Sequence, residues 1–260
     1  MTSHQEDPLD FTGRVAIVTG GTRGVGRGIA TAFLAAGAEV VVCGRTAPEH
    51  PVVSGDKEAT FVATDVRNQD EVAALVEGAA RRHGRLDVLV NNAGGSPSVP
   101  SSDASARFFT SVVALNLVAP FLCAQAANAV MQGQDDGGTV VNIASVSALR
   151  PSPGTAAYGA AKAGLVNLTR SLAVEWAPKV RVNCVVAGLV DTEAGEAHYG
   201  GPEGLRAVAA TVPLGRLGTP ADIAAVCLFL ASPLAAYVTG AALEAHGGGE
   251  WPAFLTALGH

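Results

Sequence analysis

The chain has 260 residues, with 17 Lys and Arg against 23 Asp and Glu for a net charge of −6, and it is 48% hydrophobic but only 15% charged. High apolar content with low net charge excludes an intrinsically disordered chain. The acidic balance, with no block of Lys or Arg, argues against a nucleic-acid partner. Val15 to Thr19 is a continuous β-branched run that predicts a strand, followed by a glycine-rich turn and a helix over 26–36. Further strands are expected at 40–43, 60–63, 86–90, 139–143, 180–186 and 241–245. Helical spacing covers 68–83, a long stretch at 104–132, then 155–177 and 220–231. Residues 46–59 hold two prolines and no helical period, so this crossover reads as a loop where a helix is usual.

Strands apolar on both faces, each separated by a helix, imply a parallel sheet covered on both sides. The fold class expected is α/β: a single doubly wound Rossmann domain of about seven parallel strands, over residues 12–260. Residues 1–11 are expected to form a disordered or loosely attached tail. The opening Met1 to Asp10 is polar and acidic and lacks a signal-peptide pattern. Apolar runs such as Ala224 to Ala231 fall far below the roughly 18 residues of a spanning helix, so no membrane partner is expected. The cysteines (Cys43, Cys123, Cys184, Cys227) are widely spaced, which reads as reduced thiols in a cytoplasmic protein. The histidines form no ligand-spaced motif, and no metal is expected.

Function enters through the turn Thr19-Gly20-Gly21-Thr22-Arg23-Gly24-Val25-Gly26, between the first strand and first helix. Glycines there let the backbone approach a pyrophosphate seated on the helix N-terminus, so the turn predicts a dinucleotide site. An acidic residue ending the second strand would bond the ribose 2′-OH and repel a 2′-phosphate. Val42-Cys43-Gly44-Arg45 has no acid there, and Arg45 follows, which favours NADP(H) over NAD(H). Tyr158 and Lys162 stand four residues apart on one helix face. A cation beside a phenol favours phenolate, the tuning that general acid–base catalysis requires. Ser145 ends the strand at 139–144, at the carboxyl edge where ligands bind.

The T-G-x-x-x-G-x-G spacing, Asn91-Asn92-Ala93-Gly94, Tyr158-x-x-x-Lys162 and the run from Arg216 to Gly240 together resemble the short-chain dehydrogenase/reductase family, of the compact type that includes the 3-oxoacyl-thioester reductases. The resemblance spans about residues 12–248. It implies a cofactor site of Gly20, Thr22, Arg23, Gly24, Val25, Gly26, Arg45, Asp65, Val66, Asn92, Ala93, Gly94, Tyr158, Lys162, Gly188, Val190 and Thr192. Within it, Arg23 is a second phosphate-facing cation, Asp65 and Val66 meet adenine, and 183–192 hold the carboxamide. The implied catalytic set is Asn116, Ser145, Tyr158 and Lys162: Ser145 holds the substrate oxygen, Tyr158 exchanges its proton, and Asn116 supports a water relay to Lys162.

The implied substrate is a small carbonyl or secondary alcohol, with a 3-oxoacyl thioester or other ketone foremost and a steroid, sugar or polyol hydroxyl as the alternative. A catalytically silent NADP(H)-binding sensor is a further alternative, against which the intact Tyr158 and Lys162 stand. Arg107 and Arg150 are the obvious basic candidates for a charged carrier. Residues 191–214, with His198 and Tyr199, correspond to the family's substrate cap. Two departures are Ala187 where the family has proline, putting local rigidity in question, and His246 where it has aspartate, which reads as an altered turn or subunit contact. Homotetramers through the helices at 104–132 and 155–177 are implied as well.

Overall fold

In a computed structural model, which describes residues 7–193 and 199–252, the run Val15–Thr19 forms β1 and is followed by α1 (Gly24–Ala35) and β2 (Glu39–Gly44). A short hairpin, β3 (Val53–Ser54) and β4 (Lys57–Glu58), leads to β5 (Thr60–Ala63), α2 (Gln69–His83) and β6 (Val88–Asn91). Then come α3 (Ala106–Val113), α4 (Ala119–Met131), β7 (Gly138–Ser145), α5 (Ala156–Trp176) and β8 (Val180–Ala187). The chain continues through α6 (Gly201–Ala209) and α7 (Pro220–Ala231) to β9 (Ala242–Ala245). Seven parallel strands pair in the order β5-β2-β1-β6-β7-β8-β9, the doubly wound topology that the alternating pattern predicts.

Period-two packing explains why these strands are apolar throughout. Ala16 and Val18 of β1, with Val40 and Val42 of β2, face a core shared with Ile29 and Phe33 of α1 and Ile223 and Leu230 of α7. Val15, Ile17, Val41 and Cys43 face the opposite core, with Val72 and Leu75 of α2 and Cys123 and Met131 of α4. Phe11, placed in the loose tail by the sequence, is only 4% exposed and stands edge-on to Phe33 at 5.1 Å.

The β2–β5 crossover has no helix. Its hairpin turns through Gly55 at φ 55°, and Val52 and Ala59 at its base are buried. The stretch expected as one helix is interrupted: a single π-helical turn, Ala114–Val118, separates α3 from α4. Pro120 is the physical reason, because its ring nitrogen has no hydrogen to offer the Asn116 carbonyl four residues back. Ala119 N–H bonds Ala114 O, one residue farther than an α-helix reaches. Taken as a unit, Ala106–Met131 spans 26 residues and holds an 18-residue window of mean hydropathy 1.7, so by length and composition it could cross a membrane, contrary to the reading from uninterrupted runs. Here its α4 half lies on the sheet beside α2, with Ala119, Cys123, Ala127 and Met131 buried.

Candidate active site

The turn between β1 and α1 sits where the sheet order reverses, at the carboxyl ends of β1 and β6. Thr19 ties the two strands together: its Oγ1 accepts from Asn92 N and Ala93 N, both at 3.0 Å, and Asn92 Nδ2 donates back to Thr19 O at 2.9 Å. A Cβ on Gly26 would stand 2.3 Å from both Asn92 Nδ2 and Gly20 O, so only glycine lets the helix approach so closely. Gly24 has φ +52°, in the left-handed region. Arg23 is the N-cap of α1 but supplies no side-chain cap, and the first turn holds no acid, which leaves N–H donors there for a ligand. Val25 packs at the edge of the core, and Thr22 stands beside Gly44.

Arg45 follows β2 directly and is exposed, as is Arg23. Beyond β5, Asp65 receives Arg67 Nε and Nη2 at 2.9 and 2.6 Å. That pairing, with a smaller contribution from Arg45, holds its carboxyl down at about 2. Val66 beside it is buried. The proposed adenosine-end residues are therefore brought to one edge of the sheet.

The residues expected to transfer the proton converge from β7, α5 and the π turn. Ser145 is the last residue of β7; its Oγ accepts from Ser147 N at 3.2 Å, and its hydroxyl favours ionisation of the Tyr158 phenol. Lys162 is only 2% exposed, with Nζ 5.6 Å from the Tyr158 ring centre and donating to Ile143 O at 2.7 Å. Burial lowers the ammonium of Lys162 to about 8. The expected lowering of Tyr158 by Lys162 is not realised: burial raises the phenol, and the opposing influence comes from the Ser145 hydroxyl. The reason is that Lys162 is itself desolvated and turned to a backbone carbonyl.

Asn116 is fully buried in the π turn, where its Oδ1 accepts from Gly95 N and its Nδ2 donates to Gly95 O and Val112 O, all at 2.9 Å. It makes no bond to Lys162, but the two frame one small gap. A Cβ on Gly94 would lie 2.6 Å from Asn116 Oδ1 and 3.3 Å from Lys162 Nζ.

The segment after β8 lies over the same turn. Ala187 pairs with Ser145 on one side and Ala245 on the other, so the sheet supplies the rigidity that proline would have given. Gly188 packs on His246, whose Cα would be 2.6 Å from an added Cβ. The His246 ring pairs with Glu244, so the residue closes a turn at the sheet edge. Val190 bridges to Gly218, and Thr192 lies against Gly24. The cap residue His198 falls outside the described residues; Tyr199 is half-buried, within the fields of Glu250, Asp191 and Arg150.

Several participants escaped sequence reading. Arg150 pairs with Glu250 at 2.5 Å, across 100 residues of chain. Ser147, Ser152 and Thr155 form a hydroxyl chain, at 3.1 and 2.5 Å, in the loop beyond Ser145. Glu193 Oε2 accepts from Gly24 N–H at 3.1 Å. None of these had a local signal, since each depends on distant partners; only Thr19 was available, at the head of the glycine turn.

A glycine turn with no room for a Cβ at Gly21 or Gly26, an α1 N-terminus without an acid of its own, and a buried lysine suit a nicotinamide dinucleotide. A family model described as Enoyl-(Acyl carrier protein) reductase matches residues 20–250. The chain belongs to the short-chain dehydrogenase/reductase family. Among its relatives, a 3-oxoacyl-[acyl-carrier-protein] reductase from Chlamydia muridarum is 36% identical, covering 90% of this chain and 96% of that one. A D-threitol dehydrogenase from Mycolicibacterium smegmatis is 37% identical, over 95% of this chain and 98% of its own. A short-chain type dehydrogenase/reductase from Mycobacterium marinum superposes with TM-score 0.86 at 31% identity, covering 95% and 99% of the two chains. Like other short-chain dehydrogenases/reductases, the protein is an oxidoreductase that acts on CH–OH or ketone groups with a nicotinamide cofactor.

Proposed function

We propose that this short-chain dehydrogenase/reductase uses NADP(H) to interconvert a ketone and a secondary alcohol, with Tyr158 as general acid and base. The observation that carries the reading is the buried Lys162, whose Nζ stands 5.6 Å from the Tyr158 ring centre beside the β7 end that carries Ser145. The nicotinamide, when bound, supplies or accepts the hydride. Ser145 orients the substrate oxygen. Tyr158 is protonated at rest, since burial raises it, so it is set to donate its proton to an oxygen gaining negative charge. Lys162 bonds the ribose and adds positive charge near the phenol, while Asn116 keeps the gap beside Gly94 open for a water linking to Lys162. Gly20, Thr22, Val25, Gly26, Asn92 and Ala93 would cradle the dinucleotide, with Asp65 and Val66 at adenine and Gly188, Val190 and Thr192 at the carboxamide.

Preference for NADP(H) is supported by Arg23 and Arg45, both exposed at the adenosine end with no acid ending β2. A charge-assisted bond to phosphate contributes about 1.5–3 kcal/mol, and about 1.4 kcal/mol is tenfold in affinity. Replacing either arginine by alanine is therefore expected to cut the NADPH-over-NADH preference roughly tenfold in initial rates. Equal wild-type rates with both nucleotides would remove the NADP(H) assignment.

For the substrate, a 3-oxoacyl thioester or other ketone leads, and one feature favours the second reading, a sugar or polyol hydroxyl. Arg150 is engaged by Glu250 and so is not free for a carrier phosphate, while the loop past Ser145 presents hydroxyl groups. A rate panel of 3-ketoacyl thioesters, simple ketones and polyols separates the two. We also propose a cytoplasmic homotetramer, supported by four buried free thiols and by exposed apolar side chains on α3 and α5.

A further inference from the structure

Glu193 occupies part of the phosphate-binding turn. Its carboxylate takes the N–H of Gly24, the first residue of α1, from a position 169 residues away in sequence. A Cβ on Gly24 would lie 3.6 Å from Thr192 Cγ2 and 3.9 Å from Glu193 Oε2, so residues 192–193 lie together against the opening of the helix. The first turn of α1 has neither a capping side chain nor an acid of its own, and the Glu193 carboxylate supplies both the acceptor and the negative charge. A dinucleotide diphosphate makes the same demand on the same N–H groups. Two anions cannot share this helix terminus without repulsion.

We propose that Glu193 is an internal competitor for the diphosphate of the cofactor, a residue that sets dinucleotide affinity from within the segment leading to the substrate cap. The inference rests on the dinucleotide reading of the glycine turn. Binding of the diphosphate breaks the Gly24–Glu193 bond. Asp191 N–H is held on Gly218 O at 2.8 Å, so the displacement falls on Thr192 and Glu193. Because the diphosphate is common to both nucleotides, Glu193 lowers affinity for NADPH and NADH equally and leaves their discrimination to Arg23 and Arg45.

Fluorescence titration of the full chain with NADPH and NADH, for wild type, Glu193→Gln and Glu193→Ala, tests this. Removing an exposed charge from a helix N-terminus predicts tightening of roughly two- to tenfold, by the same ratio for both nucleotides. Unchanged or weaker binding by variants whose thermal melts match wild type would overturn the proposal. A wild-type protein that binds neither nucleotide would overturn the dinucleotide reading, and this inference with it. If NADH binds as tightly as NADPH, the arginine reading fails, whereas an equal tightening ratio still supports the competitor.

Discussion

Lys162 carries the sharpest consequence at the scale of a single residue. Its ammonium is desolvated and sits at about 8 in the folded protein, below its ordinary value of 10.5. Between those two pH values the unfolded chain binds the proton and the folded one does not, so stability rises with pH across that window. Below about 8 the full penalty of the buried charge is present. Lys162→Met is therefore expected to stabilise the cofactor-free protein at pH 7 by roughly 1–3 kcal/mol while abolishing turnover. Thermal melts at pH 7 and pH 10 check it: the gain should shrink at the higher pH, and a variant less stable at both would refute the burial argument. The pairing of Tyr158 with Lys162 was legible in sequence because four residues make one helical turn. The direction of the Tyr158 shift was not legible, because burial is a tertiary effect that no spacing records.

Among the elements, the π turn does the most for the site. Pro120 denies Asn116 an α-helical partner, and the widened turn places the Asn116 amide on Gly95. Pro120→Ala restores the missing N–H and allows an uninterrupted helix, which would rotate Asn116 away from the gap shared with Lys162. Misplacement of a supporting group by about 1 Å can cost about a hundredfold, so kcat is expected to fall roughly ten- to hundredfold with little change in Tm. Unchanged kcat would show that the π turn is incidental. Helical spacing over 104–132 reads the same with or without this turn, so the interruption was hidden even though Pro120 stood in plain view. The β2–β5 crossover was legible as non-helical from its two prolines, but its hairpin strands of two residues each are too short to leave a period.

For the whole molecule, the sparse charge follows from a sheet covered on both faces, with cores formed by alternate residues of the same strands. The doubly wound sheet of about seven parallel strands was readable from the alternation of apolar runs and helices. The rim formed by Arg150 and Glu250 was not, since it joins two loops on opposite ends of the C-terminal half. Apolar side chains stand exposed on the helices expected at subunit contacts: Val174 of α5 is 80% exposed, Phe109 of α3 45% and Val118 of the π turn 44%. Covering such side chains between copies would remove their cost in water. Sedimentation at micromolar concentration is expected to show a tetramer, and Val174→Glu to weaken it; a wild-type monomer would contradict the assembly.

The central claim is that Tyr158 exchanges the proton while the neighbouring residues hold cofactor and substrate. Tyr158→Phe removes one oxygen and leaves the ring. The decisive measurement is the absorbance decay of NADPH with a reactive ketone, taken beside an NADPH titration of the same variant. Turnover is expected to vanish while affinity for NADPH stays within about twofold of wild type, since the ring and Lys162 still line the nicotinamide end. A Tyr158→Phe variant that retains substantial turnover would contradict the mechanism.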